Sequence, residues 1–184
     1  MSRLPTLFVA LCAFVVPVAL AANHSADAPD PGLSLQLDVA RFELVAVDLR
    51  SGHRSEPISV ALGSPARPTP SGVFELEHVV LNPGWVPGPR ARRAGAEELS
   101  ASLDTPMGAA KIPFSGRGAI ALHGGGDPRV LGKPISSGCV RASDADILRL
   151  IAWLDGRNGL AAARPQADGQ VVRALSRPAR LIVF

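Results

Sequence analysis

Ser136-Ser137-Gly138-Cys139-Val140-Arg141, with His123-Gly124 upstream of it, is the stretch from which this 184-residue sequence is best interpreted. An unperturbed cysteine thiol has a pKa of about 8.5 and is a weak nucleophile until it ionises. A histidine within reach removes the proton and leaves a thiolate–imidazolium pair that attacks carbonyl carbon. Gly138 permits a tight turn with N–H groups beside the sulfur. The stretch predicts a nucleophilic Cys139 with His123 as its base; the alternative is a buried, inert cysteine.

The first 21 residues have the pattern of a secretion signal. Arg3 provides a short basic region, residues 7–20 are almost wholly apolar, and Ala19-Leu20-Ala21 is a small-x-small cleavage pattern. The apolar run is shorter than the roughly 20 residues that span a bilayer, so a retained anchor is the less favoured alternative. Cleavage after Ala21 would remove Cys12 and leave Cys139 as the one cysteine of an exported, periplasmic or cell-envelope protein.

Composition excludes some classes of function. The chain has 19 Lys and Arg against 16 Asp and Glu, a net charge of +3, and its arginines are not interleaved with aromatic residues. Nucleic-acid binding is therefore not expected. The one basic cluster, Arg90-Ala91-Arg92-Arg93, is interpreted as a solvated loop rather than a polyanion site. Because tyrosine is absent, acid–base work is left to histidine, arginine, tryptophan or the thiol.

Hydrophobic alternation and Gly/Pro punctuation predict a mainly β domain, a barrel or sandwich, over residues 33–184. Residues 22–32 are polar and proline-rich and are expected to form a flexible lead. Strands are predicted at 33–39, 42–49, 58–62, 73–81, 119–122 and 180–184.

Two further segments have distinct patterns. Residues 82–95 contain three prolines and a basic cluster, so a long irregular loop is predicted there, with the potential to act as a lid. Ser143 is a candidate N-cap for one clear helix that ends near Asp155-Gly156, with an apolar stripe facing the core.

Four ordered landmarks resemble the L,D-transpeptidase catalytic domain family, of YkuD type. The resemblance covers roughly residues 35–150. Ser137 is a departure, because many members carry a histidine immediately before Gly-Cys. The matching segments are Leu62-Gly63 with Pro68-Thr69-Pro70-Ser71-Gly72-Val73-Phe74, Asn82-Pro83-Gly84-Trp85-Val86-Pro87, Thr105-Pro106-Met107-Gly108, and His123-Gly124 with the Cys139 stretch.

The resemblance implies a mostly β, sandwich-like domain with one or two helices that acts on peptidoglycan. Cys139 would attack the carbonyl before the terminal D-alanine of a tetrapeptide stem, and His123 would be its base. The resulting thioester would pass to an amine on another stem or envelope protein. No metal or cofactor is expected.

Supporting roles are expected for several neighbours. The N–H groups of Gly138 and Cys139 are candidates for the oxyanion hole. Gly124 would permit close packing, and a backbone carbonyl would orient the imidazole. Arg141 either pairs with a stem carboxylate or braces the turn. Expected substrate contacts, besides Arg141, are Ser136, Ser137 and Trp85, although Trp85 can also be read as a plain loop anchor.

Two alternatives stay open. The first is an L,D-carboxypeptidase or envelope amide hydrolase with the same Cys139 and His123. The second is a catalytically silent wall-binding domain, which Ser137 makes more plausible. A zinc site formed by His123, Cys139 and His78 is not favoured, because the sequence lacks paired ligand spacing. His24, His53 and His78 have no neighbouring residues that indicate a catalytic or binding role.

Overall fold

The structure is a computed structural model that describes residues 30–114 and 120–184. The predicted signal segment and most of the predicted lead lie outside these residues. Over the described ranges the chain is mainly β, as expected, with two α-helices and one short 3₁₀ turn at Pro128–Val130. Neither of these α-helices has the length and apolar character needed to cross a bilayer.

The elements follow one another in chain order. The helices are α1 (Pro89–Arg93) and α2 (Asp144–Asp155). The strands are β1 (Leu33–Asp38), β2 (Glu43–Asp48), β3 (Ile58–Ser59), β4 (Leu62–Gly63), β5 (Gly72–Glu75), β6 (His78–Leu81), β7 (Ala110–Pro113), β8 (Ala121–His123), β9 (Pro134–Ser136), β10 (Val140–Arg141), β11 (Arg164–Pro165), β12 (Val171–Ala174) and β13 (Ala179–Val183).

Two larger sheets enclose the core. One has the order β3-β2-β1-β13-β5, and the other has the order β10-β8-β7-β6-β12-β11. A third pair, β4-β9, lies beside the second sheet. In the first sheet β1 runs parallel to β13 and pairs Leu35 with Leu181, both about 1% exposed. This burial agrees with the period-two pattern of the sequence.

The second sheet has one face in the core and the other toward a cleft. Ile112, Leu122 and Val140 lie side by side on β7, β8 and β10 and are at most 1% exposed. Because side chains alternate along a strand, the residues on either side of these three project to the opposite face. That opposite face forms the floor of the cleft.

Helix α2 covers the core in the way the sequence predicts. The Ser143 hydroxyl accepts the N–H of Asp146 at 3.1 Å, which confirms the N-cap. The helix ends at Asp155, and its stripe of buried apolar side chains comprises Ile147, Leu150, Ile151 and Leu154.

Three predicted segments differ from the structure. The strand expected at 73–81 is two strands in different sheets, because Leu76 donates its N–H to Ala179 as the chain crosses from one sheet to the other. The strand expected at 58–62 is interrupted, because Ala61 pairs with Arg141 instead. The irregular segment 82–95 contains the short helix α1, with Pro89 at a first-turn position where its missing N–H costs nothing.

Candidate functional site

A cleft of about 650 Å³ lies on the outer face of β7, β8 and β10. Its floor is made by the residues that alternate with the buried Ile112, Leu122 and Val140. It contains both Cys139 and His123, which are 16 positions apart in the sequence. The floor residues are Lys111, Pro113, Ala121, His123, Cys139 and Arg141.

Strand register explains how Cys139 reaches His123. β10 runs parallel to β8 and pairs Arg141 with His123. Cys139 precedes Arg141 by two residues, so both project to the same face of the sheet as His123. Cys139 is half-buried and carries a thiol. A cysteine that lines the cleft is not the inert core cysteine considered as an alternative.

His123 is held as a neutral imidazole with a defined tautomer. Its Nδ1 lies 2.7 Å from the Gly124 carbonyl, which can only accept, so Nδ1 carries the proton. Nε2 is buried and, among the described residues, has no hydrogen-bond partner. Burial is the main cause that lowers the pKa of His123 to about 4, and the positive charges of Arg141 and Lys111 contribute to this lowering. Nε2 therefore presents a lone pair at neutral pH.

This environment changes one expectation. The sequence suggested that His123 and Cys139 form a thiolate–imidazolium pair. The buried imidazole disfavours the positive charge that such a pair needs. The arrangement fits a neutral base that accepts the thiol proton as the sulfur attacks. As expected, a backbone carbonyl rather than a carboxylate orients the ring.

The turn before Cys139 is held by Ser136. The Ser136 hydroxyl donates to the Cys139 carbonyl at 2.6 Å and accepts the N–H of Gly138 at 3.1 Å. Gly138 has φ +114°, a conformation that L side chains rarely adopt. Ser136 is buried and braces this turn, and the N–H of Gly138 already donates to its hydroxyl. The substrate contact expected of Ser136 and the oxyanion role expected of Gly138 stay predictions.

Gly124 packs closely beneath the His123 loop. Its N–H donates to the Ala110 carbonyl at 2.9 Å. A Cβ at Gly124 would lie 2.2 Å from Asp144 Oδ1, which confirms the expected close packing. The oxyanion role of the Cys139 N–H stays a prediction.

Thr69 is a positioning residue that the sequence analysis did not single out. Its buried hydroxyl accepts the N–H of Gly63 at 2.9 Å and donates to the Gly138 carbonyl at 3.1 Å. One side chain therefore ties both parts of the first landmark to the Cys139 turn. Thr69 stands in the Thr-Pro-x-Gly landmark, but no local sequence pattern indicates that it bonds to the distant Gly138 carbonyl.

Asp144 was noted only as a first-turn residue of α2, yet it also holds the histidine loop. Its Oδ1 accepts the N–H groups of Ala109 at 2.7 Å and Gly125 at 2.9 Å. This contact joins the helix to the Thr105-Pro106-Met107-Gly108 landmark and to the loop after His123. Its negative charge opposes the lowering of the His123 pKa.

Residues 82–95, called the roof here, line the cleft opposite the floor. Trp85 lines the cleft and exchanges two backbone hydrogen bonds of 2.9 Å with Leu99. The side chains of Asn82 and Gln170 attach the start of the roof to the 169–170 turn. Helix α1, by contrast, contains no buried residue.

The remaining predicted substrate contacts lie near the thiol. Ser137 is exposed and lines the cleft beside Cys139, and Arg141 lines it on the His123 side. The structure thus brings Ser137, Arg141 and Trp85 to the same cleft. His78 lies on β6 and does not line it. Across 30–114 and 120–184, no group of three or more His, Cys, Asp or Glu side chains is placed to hold a metal ion.

A thiol at the edge of a sheet, beside a buried neutral imidazole with an oriented ring, is an arrangement that cysteine-based acyl transfer requires. Residues 35–172 match the family model of the L,D-transpeptidase catalytic domain, YkuD. The chain therefore belongs to the L,D-transpeptidase catalytic domain family. A search of curated proteins found no significant match.

Solved structures of L,D-transpeptidases align with this chain at low sequence identity. L,D-transpeptidase 3 from Mycobacterium tuberculosis aligns with a TM-score of 0.50 and 13% identity, covering 83% of this chain and 61% of that one. An L,D-transpeptidase from Stackebrandtia nassauensis gives 0.49 and 15%, covering 90% and 61%. The catalytic domain of the E. faecium L,D-transpeptidase gives 0.47 and 13%, covering 84% and 98%. The chain thus spans about three fifths of the two longer proteins.

Proposed function

We propose that this domain is an L,D-transpeptidase that uses Cys139 to cleave and transfer the acyl group of peptidoglycan tetrapeptide stems. The observation that carries the proposal is the cleft in which the Cys139 thiol lies with His123, whose Nδ1 is fixed to the Gly124 carbonyl. The family match supports the reaction class.

Acylation begins with proton transfer. His123 Nε2 takes the thiol proton while Cys139 Sγ forms a bond to the carbonyl carbon between the L-centre of the third stem residue and the terminal D-alanine. The carbonyl oxygen becomes an oxyanion, for which the Cys139 N–H is the proposed donor. The carbon–nitrogen bond then breaks, His123 returns the proton to the leaving amine, and D-alanine departs. The product is a thioester on Cys139.

Deacylation uses the same base in reverse. An amine from a second stem or an envelope protein attacks the thioester, His123 Nε2 takes its proton, and Sγ leaves and is reprotonated. Water in place of the amine gives a carboxypeptidase. We assign an amine acceptor because the roof, with Trp85, lines the same cleft as the thiol, and a segment that closes over a thioester excludes water from it.

Ser137 replaces a histidine that many family members carry, and this substitution keeps the silent wall-binding domain as the competing function. Ser137 does not titrate near neutrality, so it supplies a hydrogen bond and no charge. The chemistry assigned above needs only Cys139 and His123. Acylation by a carbapenem separates the two functions, because a binding domain would not be acylated.

We also propose that the protein works outside the cytoplasm, where its substrate lies. Residues 1–21 are proposed to be removed on export. Intact mass of the exported protein should correspond to a chain that begins at or near Ala22. A secreted form that retains Cys12 would contradict this proposal.

The test of function is product analysis by mass spectrometry after incubation of the protein with purified tetrapeptide muropeptides. Cross-linked dimers between third stem residues, or exchange with an added D-amino acid, support a transpeptidase. Tripeptides alone establish a carboxypeptidase. Unchanged tetrapeptides, together with no carbapenem adduct, would indicate the silent binding domain.

A further inference from the structure

The cleft is more positive than the chain as a whole. Four basic residues, Arg67, Arg90, Lys111 and Arg141, line it, and none of the described residues in its lining is acidic. The chain carries a net charge of only +3 spread over 184 residues. A one-sign lining in a concave site raises the local concentration of ligands of opposite sign.

Two of these cations come from the floor and flank His123. Lys111 on β7 and Arg141 on β10 both pair in register with His123 on β8. Residues directly opposite in a ladder project from the same face, so the three side chains form one row. Both positions are rigid, because Lys111 also pairs with Val80, and Arg141 exchanges two backbone hydrogen bonds with Ala61.

Both floor cations are only partly solvated, and neither forms an ion pair with another described residue. The Nε of Arg141 is buried and has no hydrogen-bond partner within the described part of the chain. Burial also lowers the pKa of Lys111; Asp168 raises it, but no ion pair within 4.0 Å joins the two among the described residues. A buried charged donor without an acceptor is costly, and a bound carboxylate would remove that cost.

We propose that Lys111 and Arg141 form a carboxylate-binding pair beside Cys139, which selects acyl donors with a negative charge next to the bond that is cleaved. The inference rests on the proposed function for its natural substrate class, a carboxylate-bearing peptide, but not for its physical test. Lys111 is the new element, because no motif marks it. Arg141 acquires the carboxylate role in preference to bracing the turn, since its guanidinium Nε lacks a protein acceptor.

The direct test is alkylation of Cys139 by iodoacetate and by iodoacetamide. In both reactions Sγ forms a bond to CH₂, iodide leaves, and the thiol proton is lost, so the reagents differ mainly in charge. Any change in thiol ionisation affects both rates and cancels in their ratio. A small thiol such as N-acetylcysteine, measured in parallel, gives the intrinsic ratio of the two reagents.

The wild-type protein should favour iodoacetate over this reference by roughly three- to tenfold or more, as expected for one to two partly desolvated cations. Lys111→Gln and Arg141→Gln should each move the ratio toward the reference. The matched control is Lys133→Gln, an exposed lysine that does not line the cleft, which should leave the ratio unchanged. A wild-type ratio equal to the reference, or one unaffected by both floor variants, overturns the inference.

A second arm identifies which carboxylate is read. The donors are tetrapeptides in which either the terminal carboxylate or the side-chain carboxylate of the third residue is amidated, and each is compared with the peptide in which both are free. Amidation of the recognised group should lower wild-type kcat/KM by about tenfold and should have little effect in Lys111→Gln. If no tetrapeptide reacts but iodoacetate is still preferred, the proposed function fails and the carboxylate pair stands. If the tetrapeptide with both groups amidated reacts as fast as the unamidated one, Lys111 and Arg141 do not select the substrate by its carboxylate.

Discussion

The floor and the roof of the cleft are built in opposite ways. The floor lies on adjacent strands whose other face is buried to within 1% exposure at Ile112, Leu122 and Val140. The roof is a loop fixed at its start by hydrogen bonds to Leu99, Gly169 and Gln170, and its helix α1 buries no side chain. The groups that perform chemistry are thus placed by the core, whereas the covering segment contributes little to that core.

We therefore expect the floor to position the reacting groups and the roof to control which acceptor reaches the thioester. A substitution on the floor should change reaction rate and stability together, because each floor residue is part of a strand or of the turn that the core supports. A substitution in the roof should change which acceptor reaches the thioester and leave stability nearly unaltered.

Replacing His123 should have the largest effect on rate. His123→Gln removes the base that accepts the Cys139 proton, and general base catalysis contributes about 10²- to 10⁴-fold. Acylation by a carbapenem, followed by stopped-flow or intact mass, should slow by that factor. His78→Gln, in the same sheet but outside the cleft, is the matched control. If His123→Gln acylates at the wild-type rate, another residue is the base.

The turn before Cys139 should be sensitive to a single methyl group. Gly138→Ala places a side chain at φ +114° and 3.3 Å from Ile120 Cδ1, with an expected cost of about 1–3 kcal/mol in the free energy of unfolding. Acylation should slow at least tenfold because the sulfur and its neighbouring N–H groups move. Denaturant unfolding and carbapenem acylation measure the two effects.

Gly52→Ala is the control for that substitution. Gly52 also has a positive φ, +73°, but has no atom within 4 Å of the added Cβ among those described. It should lose stability through backbone strain while its acylation rate stays at the wild-type value. Equal loss of rate in both variants would show that strain alone, rather than the Cys139 turn, controls reactivity.

Burial of His123 should make stability depend on pH. Its pKa is about 4 in the folded chain and about 6.5 when unfolded, so the unfolded state binds more protons between these values. Stability should be full above pH 6.5 and fall as the pH approaches 4, by about 2 kcal/mol between pH 7.5 and 5. Asp30 and Asp48 have pKa values lowered by Arg177 and contribute only at lower pH.

Denaturant unfolding at the two pH values measures this loss. His123→Gln should flatten the dependence, whereas His78→Gln should retain it. A wild-type protein equally stable at pH 7.5 and 5 would mean that the imidazole is solvated and titrates normally.

The roof should show the smallest effect on stability. Replacing residues 88–95 by a Gly/Ser segment of equal length should change the free energy of unfolding by less than about 1 kcal/mol, because α1 has no buried side chains. The fraction of thioester taken by water should rise, measured as the ratio of tripeptide to cross-linked product. The control replaces the exposed turn 51–53 by a Gly/Ser segment of equal length, and it should leave the product ratio unchanged. An unchanged ratio of tripeptide to cross-linked product would show that the roof does not act as a lid.

Sequence patterns predicted those elements whose cause is local. The leucines of β1 alternate, the Ser143 cap precedes an apolar stripe, and Gly138 adjoins Cys139; each signal lies within a few residues. Strands β7 and β10 were not predicted. β10 has two residues, and β7 carries Lys111 and Pro113 on its cleft face, which a hydrophobic pattern does not read as strand.

Long-range hydrogen bonds were missed as well. Thr69 reaches Gly138 across 69 residues, and Asp144 reaches Ala109 across 35. No local pattern encodes such partners, so their support of the Cys139 turn and the His123 loop emerged only from the fold. The same holds for Lys111, whose place beside His123 depends on strand register.

The central claim is that Cys139 carries the acyl group of a tetrapeptide stem as a thioester. The most direct test is intact-protein mass spectrometry after rapid mixing with a tetrapeptide donor and acid quenching, with peptide mapping of the adduct. The account predicts a mass increase equal to the stem acyl group without its terminal D-alanine, located on Cys139 and absent from Cys139→Ala. Release of D-alanine without such an adduct, or an adduct that persists in Cys139→Ala, would contradict it.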